Sequence, residues 1–353
     1  MWHTPSTCGR LEFGGVEATA NGRRRPTIRD VAAAAGVSRG TVSRVINGGH
    51  WVSPEARRAV EQAIRTTGYR ANQHARSLVT GRSNSLAFLL TESHHLLFAD
   101  PTFSILLRGA AEALAQRGMT LILLVASSPA ERETVAAYVG AGHVDGVLLI
   151  SSHADDPLLD TLVEQGVPTV ACGIPLGHVG RIGSVSVDEE GSARTMVAHL
   201  RAGGRRRIAT ITGPLDTPGG KYRLEGYRKE LGPDFDERYV AHGDYTAESG
   251  AAAMEALLDR APDLDAVFAA SDLMAAGALG VLRRRGREVP RDVAVGGFDD
   301  SGLAATLDPP LTTMHQPFDR ISTEMVALLL EVAAGAPHKS VTMPAQLVVR
   351  AST

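Results

Sequence analysis

Residues 26–47 read PTIRDVAAAAGVSRGTVSRVIN, two short helical patterns separated by one glycine. Thr27 followed three positions later by Asp30 has the form of a capping box, in which side-chain oxygens answer the unpaired amides of a first helical turn. Ile28, Val31, Ala32 and Ala35 then share one helical face, Gly36 supplies a turn that needs no Cβ, and Ser38 stands where an N-cap would start the next helix. That second helix turns Val42, Val45 and Ile46 inward and Arg39, Thr41, Ser43 and Arg44 outward. Further on, Ser53 and Pro54 open a third helix with Val60, Ala63 and Ile64 inside, and Gly68 stops it. Short helices with an arginine-bearing outer face suit a module that lays one helix in a DNA major groove. An ordinary helical hairpin is the plainer alternative.

The charge around this stretch favours the first reading. Twelve arginines against Asp30, Glu55 and Glu61 give residues 23–82 a net charge of +9. The whole chain is at -3 and its first 22 residues at -1, so the 271 residues that follow carry -11. A basic head ahead of an acidic body is the footprint expected of a polyanion-binding module, because each neutralised phosphate releases condensed counterions. Between head and body, Asn72 is placed to cap a short helical run, 73–80, that holds one large apolar residue, Leu78. The run is too short to be stable alone.

From Ser85 onward, strand-length apolar runs alternate with helical patterns, as in parallel βαβ units. Candidate strands begin at Leu86 (LAFLL), Thr120 (TLILLV), Gly146 (GVLLI), Pro168 (PTVA), Ser184 (SVSV), Arg207 (RIATI), Ala266 (AVFAA) and Val293 (VAVGG). They are almost continuously hydrophobic, which fits strands covered on both faces. The pattern alone leaves open one large sheet or two smaller lobes.

The 353 residues, 44% hydrophobic and 5% aromatic with 37 Gly and 18 Pro, fit two or three globular domains. Two cysteines, Cys8 and Cys172, cannot build a disulfide framework, which favours a cytoplasmic location. No apolar run approaches the length needed to cross a bilayer. The first 26 residues lack a signal-peptide core and are expected to be a disordered arm. Catalytic signatures are missing: there is no GxSxG, HExxH, Walker loop or GxGxxG. The adjacent His94 and His95 make a poor metal pair, and His143, His153, His178 and His199 are isolated. The stretch 213–221, GPLDTPGGK, resembles a phosphate loop only loosely, since Tyr222 stands where Ser or Thr would follow the lysine. No metal and no cofactor are expected. A sugar- or nucleoside-converting α/β enzyme, or a solute-binding protein, with an incidental basic N-terminus is the competing reading. It leaves the head unexplained.

The motifs TIRDVAAAAGVS, TVSRVINGG, VSPEARRAV, GYRAN and ARSLVTGRS, in this order and spacing, closely resemble the head and hinge of the lactose/galactose-repressor (LacI-type) transcription factors. In the body GHVDGVLLI, GGRRRIATITGPLDTPGGKYRLEGY, AVFAASDLMAAGALGVL and DVAVGGFDDSGLAATLDPPLTTMHQP are similar to the same family's core. The resemblance implies an α/β protein with a helix-turn-helix head (27–72), a hinge helix (73–84) and a two-lobed, periplasmic-binding-protein-like body of doubly wound parallel sheets (85–353). Lobe one would take residues 85–173 and 315–342, and lobe two 174–314 and 343–353, with the chain crossing near Gly173, Met314 and Met343.

By the same match, Arg39, Gly40 and Arg44 fall at base-reading positions and Thr27, Ser38, Thr41, Ser43, Asn47 and Tyr69 at backbone-contact positions, while Leu78 takes the place of the minor-groove wedge. Gly40 departs from the pattern by offering no side chain, so Arg39 and Arg44 carry the direct readout, and arginine favours guanine. The resemblance further implies a homodimer on a roughly palindromic operator, without a tetramerising tail, switched by a small molecule between the lobes. Phe103, Asp155, Arg223, Ser271, Asp299, Gln316 and Phe318 are the expected effector contacts, and Asp272 is expected to cap its helix instead. A sugar or sugar derivative is the expected effector, although a purine would use the same groups.

Overall fold

The structure is a computed structural model that describes residues 26–46, 51–69 and 82–353. Asn47 and the hinge with Leu78 lie outside these residues. The chain divides into two units, 1–79 and 80–353.

In the first unit, α1 (Ile28–Ala35), α2 (Arg39–Ile46) and α3 (Pro54–Thr67) surround a small core of Val31, Ala32, Val42, Val45, Val60 and Ala63. The amide and the hydroxyl of Thr27 both donate to the Asp30 carboxylate, at 2.7 and 2.8 Å. Gly36 adopts φ 65° and returns its N–H to the end of α1, a left-handed cap that costs a side-chain-free residue little. Ser38 Oγ accepts from the Thr41 amide at 3.1 Å, and Ser53 Oγ accepts from the Ala56 amide at 3.2 Å. Ser38 and Ser53 therefore cap the helices they were expected to cap, and the expected cap at Asn72 lies outside the described residues.

The second unit contains two six-stranded sheets. Its elements are β1 (Ser85–Leu90), α4 (His94–Ala99), α5 (Pro101–Ala115), β2 (Thr120–Val125), α6 (Pro129–Gly140), β3 (Val147–Ile150), α7 (Pro157–Glu164), β4 (Thr169–Cys172) and β5 (Gly183–Val187), followed by α8 (Glu189–Ala202), β6 (Ile208–Thr212), α9 (Pro218–Leu231), β7 (Val240–His242), α10 (Ala247–Arg260), β8 (Ala266–Ala269), α11 (Asp272–Arg284), β9 (Ala294–Asp299), α12 (Leu303–Thr306), β10 (Thr312–His315), α13 (Phe318–Ala333), β11 (Ser340–Met343) and β12 (Gln346–Val348). The first sheet runs β11-β5-β4-β3-β1-β2 and the second β12-β10-β9-β8-β6-β7. Every pairing is parallel except β10 with β12. Strands β1, β3, β8 and β9 are buried along their whole length, as their unbroken apolar runs require.

The chain crosses between the lobes three times: after Val187, at Gln316 and Pro317 between β10 and α13, and between Met343 and Gln346. The first crossing corrects the expectation of one near Gly173. Strand β5 pairs in parallel with β4 and with β11, so residues up to Val187 belong to the first lobe. Four strands without a strong apolar signal, β7, β10, β11 and β12, complete the sheets. In β10 the hydroxyls find partners: Thr312 Oγ1 donates to the Arg350 carbonyl at 3.1 Å and Thr313 Oγ1 to Asp272 at 2.6 Å. Near the C-terminus the fully buried Ser352 donates from Oγ to the Val295 carbonyl at 2.6 Å and accepts the Thr312 amide at 2.8 Å, stitching the last residues into the second sheet.

Candidate functional site

In the second unit, the carboxyl ends of both sheets face a cavity of about 830 Å³, part of it open to solvent. This is where crevices form in parallel α/β sheets, because the loops that follow the strands diverge there. Glu92 follows β1, Ser151 and Ser152 follow β3, Cys172 ends β4 and Val187 ends β5. The second lobe contributes Glu189, Thr217, Gly219, Arg223, Tyr245 and Asp299.

Five of the seven expected effector contacts meet on this wall: Phe103, Arg223, Asp299, Gln316 and Phe318. Asp155 does not; it is exposed at φ 61° in the turn before α7. Ser271 does not either. It is buried, and its Oγ accepts the Met274 amide at 3.2 Å as the N-cap of α11. Asp272, expected as that cap, instead accepts the Asp300 amide at 2.7 Å and the Thr313 hydroxyl, tying α11 to the loop after β9, and burial raises its carboxyl to about 7.

Arg223 is the centre of the wall. Its Nε donates to Glu189 Oε2 at 2.7 Å, one Nη donates to the Ala270 carbonyl, and the guanidinium lies 3.6 Å over the Phe298 ring. The same Nη lies 3.8 Å from Asp299 Oδ1, which accepts Gln316 Nε2 at 2.8 Å. Burial pushes the Asp299 carboxyl well above the usual range, against the pull of Arg223 and with help from Asp272 and Asp100. Asp299 also holds φ 119°, a conformation an L residue keeps only where its surroundings enforce it. Among the described residues, Arg223 is the only Lys or Arg on a wall that includes Glu92, Asp100, Glu189 and Asp299.

Sequence reading missed Glu92, Asp100, Glu189, Thr217 and Tyr245. Glu92 and Glu189 each follow the end of a strand, and that position was the available signal. Tyr245 had none: it comes from the loop after β7, and its ring passes so close to Gly213 that a Cβ there would lie 2.2 Å from Cζ. The stretch 213–221 is therefore built to seat Tyr245 and to cap α9, with Thr217 Oγ1 accepting the Gly220 amide at 3.1 Å. Burial raises the Tyr245 phenol to about 12, and burial with the charge of Glu189 does the same to the Cys172 thiol, so both face the cavity uncharged.

In the first unit Arg39, Gly40 and Arg44 are exposed on α2, and Thr41 and Ser43 are half-buried beside them. Ser38 and Thr41 hydroxyls lie 2.9 Å apart. Tyr69 packs on the small core, half-buried.

Comparison with known proteins assigns both units. Residues 27–72 match the family model "Bacterial regulatory proteins, lacI family", and 197–353 match "Periplasmic binding protein-like domain". The chain is similar to the HTH-type transcriptional regulator CelR of Thermobifida fusca, 48% identical over 93% of this chain and 96% of that one. Among solved structures it is similar to the transcriptional regulator CelR-cellobiose complex (TM-score 0.75, 45% identity, 93% of this chain and 100% of the other). It is also similar to the lac repressor dimer bound to operator and the anti-inducer ONPF (TM-score 0.82, 28% identity, 94% and 99%). With relatives that are regulators and not enzymes, a helix-turn-helix head and two parallel-sheet lobes around a cleft, the chain belongs to the lacI family of bacterial transcriptional regulators.

Proposed function

We propose that this regulator is a repressor whose operator affinity is switched by a neutral sugar, of which cellobiose is the first to test, bound between the lobes. The observation that carries the sugar is the charge balance of the wall. Arg223 already neutralises Glu189, so an anionic ligand such as a sugar phosphate would meet the remaining acids without a free cation to offset them. Hydroxyl groups, by contrast, match Asp299, Gln316, Tyr245 and Thr217, which offer donors and acceptors together. Phe103 and Phe318 supply apolar surface for a ring face. The ligand of the CelR complex supports the same class.

On the DNA side, Arg39 and Arg44 are the base-reading pair and a guanine in each half-site is their target. Thr27, Ser38, Thr41, Ser43, Asn47 and Tyr69 are the backbone contacts, and Leu78 is the minor-groove wedge. A homodimer on a roughly palindromic operator is supported by edge strand β2, whose TLILLV run stays half-exposed with Leu123 at 41%. No helix among the described residues is long and apolar enough to cross a membrane, and the cytoplasm, where the operator is, is the proposed location.

Calorimetric titration of cellobiose, glucose and cellobiose phosphate into wild type and Asp299→Ala tests the effector. The expected result is binding of the neutral disaccharide with a loss of about 1 to 3 kcal/mol in the variant. Tighter binding of the phosphate would overturn the neutral-sugar assignment.

A further inference from the structure

The three crossovers attach at one side of each sheet: β5 and β11 in the first lobe, β10 and β12 in the second. Beyond β4 in the first sheet and beyond β8 in the second, two to three strands from the nearest crossover strand and roughly 10 to 14 Å away, a different set of contacts joins the lobes. His153, in the loop after β3, places Nδ1 2.8 Å from Asp216 Oδ2, in the loop after β6 of the other lobe. Its Nε2 lies 3.0 Å from Glu92 Oε1 on its own lobe, and Ser151 Oγ donates to the same oxygen at 2.5 Å. Beside them the Ala154 amide donates to the Asp216 carbonyl at 2.7 Å. Among the described residues, these are the hydrogen bonds that span the lobes away from the crossovers.

We propose that Glu92, His153 and Asp216 form a clasp that holds the effector cleft shut on the side away from its hinge. Both imidazole nitrogens face carboxylate oxygens, so both must carry hydrogen, and the ring sits as a cation between one anion from each lobe. A pair this far from the crossovers acts with leverage: opening the lobes breaks it first. Glu92 also lines the cavity, so the clasp and the effector share a carboxylate. His153 is a positioning residue. It is outside the cavity wall, orients Glu92 from behind and ties it to the opposite lobe. The inference rests on the cleft as the effector site and goes beyond it in naming what keeps the cleft closed.

The test measures amide hydrogen exchange on the full chain, without added ligand, in wild type, His153→Ala, Asp216→Ala and the double variant. With a clasp, the amides of Ala154, Gly213, Leu215, residue 216 and Thr217 exchange about tenfold faster in each single variant and no faster still in the double, because removing either partner already opens it. Unchanged exchange in His153→Ala, or effects that add in the double variant, overturns the proposal. Asp216→Asn, at a side chain 53% exposed, makes the same comparison if an alanine variant fails to fold. In a separate arm, cellobiose leaves His153→Ala about tenfold faster than wild type, and an unchanged rate counts against the clasp. If cellobiose does not bind wild type at all, the effector assignment fails while the ligand-free exchange still decides the clasp.

Discussion

The helix-turn-helix head and the cleft between the lobes use similar residues under opposite conditions. Arg39 and Arg44 are exposed on α2. Arg223 is buried, bonded to a carboxylate 34 residues away and to a carbonyl 47 residues away. An exposed arginine is free to meet a changing partner, whereas a buried one is part of the structure that shapes the site. Their substitution should therefore be felt in different quantities.

Arg223→Ala should have the largest effect on stability. It leaves Glu189 buried without its cation, and breaking such a pair costs about 3 to 5 kcal/mol. Urea denaturation would read this as a lowered midpoint. Replacing both partners, Arg223→Met with Glu189→Leu, should recover much of the loss while still abolishing effector response. If Arg223→Ala were as stable as wild type, the contrast between the two regions would collapse.

A smaller effect belongs to the clasp. The hydrogen bond to Glu92 first, and then that to Asp216, hold His153 against the opposing pull of burial, raising it from an ordinary 6.5 to about 9. A group raised on folding stabilises fully below its unfolded value and loses that contribution as pH climbs through the folded one. Denaturation midpoints of wild type should thus fall between about pH 6.5 and 9 relative to His153→Ala. The difference should be on the order of 2 kcal/mol after discounting for a side chain 23% exposed. A wild-type and variant difference that stays flat with pH would count against a charged His153.

Arg44→Ala should change stability least, within about 0.5 kcal/mol, because the side chain is exposed on α2. Its effect should appear on DNA instead, as a loss of about 1 to 3 kcal/mol of discrimination among operator variants in binding assays. Unchanged preference would remove Arg44 from the reading face.

The same division separates what the sequence disclosed from what it hid. Capping residues act on amides two or three positions away, so Thr27, Gly36, Ser53 and Gly68 were legible as helix boundaries. Apolar runs announced the longer strands of the body. A short strand such as SVSV reads alike in either sheet, however, and only its pairing with β4 and β11 moved the first crossing from Gly173 to Val187. In the cleft, Arg223 and Asp299 were found by resemblance, but the reach of Glu189 and Tyr245 depends on a helix start and a loop brought together from distant parts of the chain. His153 looked isolated in sequence because its partners lie 61 and 63 positions away. Ser271 lies off the cavity wall for the converse reason: its hydroxyl answers a local amide three residues on, as the N-cap of α11.

The threading of the last residues through both lobes also sets an order of assembly. Strand β11 adds to the first sheet, β12 to the second, and Ser352 joins β9 to β10. The core of the helical head draws on residues 28–69 alone, so the head can fold while the rest is being made. Neither lobe can finish its sheet until β11 and β12, residues 340–348, have been translated. The cell thus makes a DNA-binding module well before the sensor that governs it is complete.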